Sequence, residues 1–345
     1  MNDTQGRISG LDGLRAISIL MVVAFHVGYR SPDELSEGCV NIFPAGVYGV
    51  TVFFVISGFL ITHLLCLEER RYGRISLSAF YYRRAFRILP PALAYLAITA
   101  PLSTRTDIWH CLLFVRNFFP GNGTTAHFWS LSLEEQFYLF WPACFILLRT
   151  NRNRLFAIVP TLIAFVAWKH FASHIPGIDR TWFDGSLRHD AIVASLLVIR
   201  GQYPILTGCC LALLRHEGLL KWKWLASWWT ALVSLLILCA AFVDVAPSST
   251  IPILISIIIN VVCRSESFLD WAPLVWVGKL SYSLYLWQEV FCFQSTLLFV
   301  GAFPLNVVAS LAVACASYYG LEKPTLRLRD RIMSPARSKS YTAAH

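Results

Sequence analysis

The sequence predicts an all-α polytopic membrane protein, a helical bundle of about ten transmembrane helices plus one short re-entrant or interfacial segment. Three observations lead there. Of 345 residues, 56% are hydrophobic and only 14% charged, whereas a soluble domain carries about 25% charged residues. The apolar residues come in long runs instead of one-sided stripes. Lys and Arg gather in the stretches between alternate runs, as cytoplasmic loops do.

The first run, 12–29, begins "LDGLRAIS" and holds two ionisable residues, Arg15 and His26. Eleven residues at about 100° each make three turns plus roughly 20°, so both side chains share one face, about 16 Å apart along the axis. A charge at the bilayer centre costs roughly 2.5–3.5 kcal/mol, which marks such groups as functional candidates. Run 45–67 contains Gly46, Gly49, Ser57 and Gly58, small residues suited to close helix approach. Run 86–104 follows the basic stretch "FYYRRAFRILPP", and Pro90 and Pro91 should kink or break its helix. The apolar piece 108–120 is too short to cross and suits a re-entrant or interfacial segment.

Run 128–148 opens "FWSLSLEEQFYLFWP", with two adjacent carboxyls inside a span. Runs 155–172, 190–214, 225–243 and 250–263 are also long enough to span. Run 273–293 carries "SYSLYLWQE", and run 302–321 leads into a basic tail over about 322–345. No linker, repeat or low-complexity tract divides the chain, so a single membrane domain is expected over 1–345, with a core of about 10–329.

Loop charge tests the count. Ten crossings with both termini inside place the basic stretches at 68–87, 149–154, 215–223 and the tail in the cytosol, and these hold most of the 29 Lys and Arg. The opposite loops hold Arg30, Arg105, Arg116, Arg180 and Arg188, with the acidic "SPDELSEG" among them. Counting 108–120 as an eleventh crossing would put the basic tail outside, against the positive-inside rule. The net charge of +9 therefore reflects loops, not a nucleic-acid surface. Most of the ten cysteines, such as Cys209, Cys210, Cys239 and Cys315, fall in apolar runs and act as small hydrophobes. Their spacing is not that of a metal site, and the first apolar run reads as an uncleaved span.

Four stretches could carry chemistry, and each has a plainer reading. Arg15 could snorkel to the cytosolic interface while His26 makes one interhelical hydrogen bond; alternatively His26 is a general base or acyl carrier in a wet cavity. Arg83, Arg84 and Arg87 could touch lipid head groups, or clamp a phosphorylated cytosolic cofactor through their planar forks. In the fourth run, Ser130, Glu134 and Tyr138 follow one another at four-residue steps, and Glu135 lies three before Tyr138. Carboxyls this deep are costly for structure alone, and either one would orient an imidazole. Gln288 and Glu289 offer further polar groups to a cavity.

Together these blocks resemble the acyltransferase 3 family of integral membrane O-acyltransferases. The resemblance rests on the Arg–ten residues–His first span, "FFVISGFLIT", Arg84–Arg87 with "ILPP", "WSLSLEEQFYLFWP", "SYSLYLW" and "YGLEKPTLRL", in the family's order along nearly the whole chain. It implies transfer of an acyl group, usually acetyl from cytosolic acetyl-CoA, to a hydroxyl of a carbohydrate such as an envelope polysaccharide, O-antigen, exopolysaccharide or lipo-oligosaccharide, at a bacterial inner membrane. His26 and Arg15 match the family's first-span pair, and Arg84 and Arg87 its second arginine motif. Many members carry a His where this chain has Gln288. Some append a soluble esterase-like domain, and this chain reads as the membrane part standing alone.

The expected catalytic set is His26, Arg15, Glu134 and Glu135. Arg83, Arg84, Arg87 and Arg15 are expected to hold acyl-CoA, and Tyr138, Ser130 and Gln288 to meet the acceptor. The thioester supplies the driving force, so no metal or permanently bound cofactor is expected, and the partners are acyl-CoA, the glycan and membrane lipids. The alternative is a transporter or flippase for a polar lipid or glycan, although no paired half-repeat accompanies the arginine cluster.

Overall fold

A computed structural model describes residues 8–30, 45–119, 123–172, 191–220, 227–241, 249–264, 266–293 and 303–342. Among them the protein is all helical. In order come α1 (Ser9–Arg30), α2 (Ala45–Tyr72), α3 (Leu77–Thr99), α4 (Arg105–Leu112), α5 (Phe128–Leu147) and α6 (Asn151–Ala172). Then follow α7 (Ala191–His216), α8 (Trp228–Ala241), α9 (Ile251–Val262), α10 (Ala272–Gln288), α11 (Leu305–Ser317) and α12 (Lys323–Thr342). Four helical stretches among these residues are long and apolar enough to cross a membrane: Ser9–Gly28, Gly46–Tyr72, Leu77–Leu102 and Leu305–Met333. The protein is thus an integral membrane helical bundle. Each of the ten expected runs contains a helix, although α8 and α9 are shorter than the runs at 225–243 and 250–263. The external loops expected at 31–38 and around Arg180 and Arg188 lie outside the described residues, as does the side chain of Cys239.

The double proline does not break its helix. Helix α3 runs unbroken through Pro90 and Pro91, where the lost N–H groups leave carbonyls one turn back without a helical donor. Next to those carbonyls, Tyr282 of α10 donates to the Ile88 carbonyl at 2.8 Å, tying α10 to this stretch of α3. The basic tail begins as helix: α12 continues the helical run of α11 and packs against α3.

Helix α1 lies against α2 and α10, α2 against α7, and α10 against α11. Close approach explains the small residues. A Cβ on Gly58 would strike the Ile205 backbone of α7, and one on Gly278 would strike the Asp12 backbone of α1. The largest apolar cluster joins α2, α3, α5 and α7 through Phe54, Ile61, Tyr95, Phe128, Phe145 and Ile205.

At one end of this cluster Arg154 is fully buried, with its ring-stacked guanidinium 3.4 Å from the Phe145 centroid. It forms a bidentate pair with Glu69 (2.7 and 2.8 Å) and donates to Asn151 and the Phe145 carbonyl. A buried charge needs this full set of partners, and the result ties the α5–α6 corner to the end of α2.

The polar residues of α5 divide by helical phase. Ser132 and Gln136 share one face and hold the segment after α4: Ser132 accepts from the Arg116 amide at 3.2 Å, and Gln136 donates to the Phe114 carbonyl and Asn117 at 2.7 and 2.8 Å. Arg116, itself buried, pairs with Asp107 at 2.8 Å. The apolar piece expected at 108–120 is therefore a short helix, α4, and a loop pinned to α5. Ser130, Glu134 and Tyr138 lie on the opposite face of α5, and that face lines a cleft.

Candidate active site

A cleft between α1, α2, α3, α5 and α10, counted with the open space at its mouth, takes in about 700 Å³. Six of the residues singled out from the sequence line it: Arg15, Arg84, Arg87, Ser130, Glu134 and Tyr138. Helix α1 supplies Arg15, whose Nη1 lies 3.5 Å from Asp12 one turn back. Helix α3 supplies Arg84 and Arg87 from successive turns, as their i, i+3 spacing requires. Three guanidinium groups on two helices thus converge on one opening, an arrangement that attracts phosphate oxygens.

Within the cleft, Arg84 lies over the Tyr138 ring at 4.7 Å. The Tyr138 hydroxyl donates to Glu134, and Ser57 of α2 contacts both. Ser57, expected only to ease packing, therefore bonds two residues of the cleft lining. On the other side Ser130 bonds the Tyr285 hydroxyl, which reaches the His127 carbonyl at 2.9 Å. Tyr282 and Tyr285 complete a wall of hydroxyl groups. Such a wall suits the hydroxyls of a sugar and the amides of a pantetheine arm.

Two expected residues point elsewhere. Arg83 pairs with Glu68 of α2 at 2.9 Å, which leaves the cation role at the cleft to its neighbours. Glu135 is half-buried with Oε1 enclosed and without a hydrogen-bond partner among the described residues.

His26 is not in the cleft lining. Its Nδ1 lies 2.6 Å from Oε1 of Gln288 and 3.7 Å from Oε2 of Glu289. An amide oxygen only accepts, so Nδ1 carries the hydrogen and Nε2 is the basic nitrogen. The same Gln288 amide donates from Nε2 toward Glu289 at 3.4 Å and the Tyr285 carbonyl at 3.5 Å, which fixes which end faces the imidazole. This corrects the expected partnership. The Glu289 carboxyl lies within 4 Å of His26, while Glu134 lines the cleft from α5. Gln288 serves the imidazole and not the cleft.

One residue escaped the sequence reading altogether. His127, directly before α5, is buried, and its Nδ1 lies 3.9 Å from Oε2 of Glu289. A lone His beside an apolar run gives no signal until the fold brings it to a carboxylate.

A family model described as "Acyltransferase domain" matches residues 8–321. Over 92% of its length the chain is 28% identical to YrhL of Bacillus subtilis, whose name marks it as a candidate peptidoglycan O-acetyltransferase, covering 54% of that protein. It is 27% identical, again over 92% of its length, to the peptidoglycan O-acetyltransferase OatA of Listeria monocytogenes, covering 55% of it. A candidate O-acetyltransferase of Staphylococcus aureus, SACOL0978, is 33% identical over 49% of the chain and 30% of the relative. The chain thus spans about half the length of the first two relatives. No solved structure matches it.

Proposed function

The chain belongs to the acyltransferase-domain family, and from that premise we propose that it is a membrane O-acetyltransferase acting on a carbohydrate of the bacterial cell envelope. The names of two relatives favour peptidoglycan as the acceptor. The observation that carries the reading is the convergence of Arg15, Arg84 and Arg87 on a cleft also lined by hydroxyl and carboxyl groups. Acetyl-CoA is the donor, with its phosphates on the guanidinium groups and its thioester directed inward. The bundle crosses the inner membrane ten times as one domain over 1–345, with both termini cytoplasmic, so the donor enters from the cytosol.

The chemistry needs one base. His26 stands outside the cleft lining and joins it through Gln288, which bonds the carbonyl of the lining residue Tyr285. With the thioester drawn to that end, His26 Nε2 takes the proton of the acceptor hydroxyl as its oxygen attacks the thioester carbonyl, or the same nitrogen first carries the acetyl group. Gln288 holds the tautomer in which Nε2 is basic. Glu134 and Tyr138, on the cleft wall, bind acceptor hydroxyls, and Ser130 joins them.

The test is direct. The full chain in detergent micelles, given [¹⁴C]acetyl-CoA and a peptidoglycan disaccharide, should label the sugar and release one thiol per acetyl group. Label that stays on the donor, with sugar transported across vesicles instead, would replace this reading with a transporter.

A further inference from the structure

Outside the cleft, two imidazoles share one buried carboxyl. The Oε2 atom of Glu289 lies 3.7 Å from Nδ1 of His26 and 3.9 Å from Nδ1 of His127. The carboxyl and both rings are largely buried. Glu289 opens a π-helical turn, Glu289–Phe293, at the end of α10, a wider turn that often occurs at functional positions. Neither ring nitrogen of His127 has a hydrogen-bond partner among the described residues. Leaving such a group unsatisfied is costly, so an unpartnered buried imidazole calls for a role. A separation of 3.9 Å is too long for a hydrogen bond and short for a bridging water, yet a small rotation of the carboxyl closes it.

We propose that His127 is a positioning residue for the transfer step, acting through Glu289 on His26. This rests on the O-acetyltransferase reading. At rest each imidazole is neutral with one N–H, His26 on Nδ1 and His127 on Nε2, and the carboxyl holds one further proton. When the acceptor oxygen attacks, its O–C bond forms, the thioester C–S bond breaks, and the hydroxyl proton moves to Nε2 of His26. His127 takes the carboxyl proton, so Glu289 faces the new imidazolium as a carboxylate. His26 then gives its proton to the departing thiolate sulfur, and the carboxyl regains its own. Groups facing this relay are Tyr95 of α3, Cys111 of α4 behind Tyr95, Arg116, and Gln288 and Tyr285 of α10.

The experiment compares wild type, His127→Phe and His127→Gln in detergent micelles, using acetyl-CoA and a peptidoglycan disaccharide between about pH 6 and pH 9, a range that brackets ordinary imidazole titration. Both variants should lose about 10²-fold in kcat at neutral pH, the low end for a proton-transfer group, with KM for acetyl-CoA unchanged. Their acid limb should move to higher pH, because the carboxyl then keeps its proton until solution removes it. Gln, which preserves hydrogen bonding but holds no proton, should fail as Phe does. Wild-type activity in His127→Gln, or an unshifted acid limb in either variant, would overturn the inference and leave the transferase reading standing. A wild-type chain that transfers no acetyl group would overturn both.

Discussion

The His26 imidazole and the Gln288 amide meet at 2.6 Å across 262 residues of sequence. The contact joins the first span to the end of α10 and sets which ring nitrogen is basic. Removing the acceptor by Gln288→Leu frees the ring to adopt the other tautomer. Acetyl transfer should fall by about 10–100-fold, less than the 10²–10⁴-fold effect of losing the base, while the protein inserts normally. Equal activity in Gln288→Leu would show that the amide has no part in orienting the imidazole.

His26→Gln separates a base from a packing residue. An amide keeps a donor and an acceptor of similar reach but neither takes a proton near neutral pH nor carries an acyl group. Activity should fall at least 10²-fold, the usual contribution of a general base, at membrane abundance near wild type. A well-expressed, active His26→Gln would remove His26 from the chemistry.

Arg84→Ala and Arg87→Ala test the mouth of the cleft. Each should raise the apparent KM for acetyl-CoA, since a charge-assisted contact contributes roughly 1.5–3 kcal/mol. Lysine should restore only part of the loss, because the planar fork is gone. Arg83→Ala, whose side chain already pairs with Glu68, should leave that KM nearly unchanged. A KM effect at Arg83 equal to that at Arg84 would contradict the assignment.

Arg154→Ala should act on stability. It abandons the Glu69 carboxylate and leaves a void against Phe145. Breaking a buried pair costs about 3–5 kcal/mol, discounted here because Glu69 is partly exposed. Membrane abundance and melting temperature should both fall, with normal specific activity in whatever folds. Unaltered melting would mean the pair contributes nothing.

Topology is checked by single cysteines at Arg74, Arg152, Glu34 and Asp179 in a cysteine-free background. The first two should be labelled only from the cytosol and the last two only from outside. External labelling at position 152 would mean that 108–120 crosses the membrane.

By itself the sequence determined the helical membrane class, because backbone groups in lipid must bond within their own segment and long apolar runs follow. It also determined that Arg84 and Arg87 share a face, and that Ser130, Glu134 and Tyr138 do, because helical phase is a local property. Tertiary structure alone decided which groups meet across helices. Arg83 turns to Glu68, and His26 takes Gln288 and Glu289 instead of the α5 carboxyls. His127 becomes a neighbour of Glu289, and Ser57 becomes a partner of Glu134 instead of a packing residue. Periodicity fixes a side chain's direction about its own axis. The rotation and depth of one helix against another follow from how small residues such as Gly58 and Gly278 let backbones approach, which no single segment encodes.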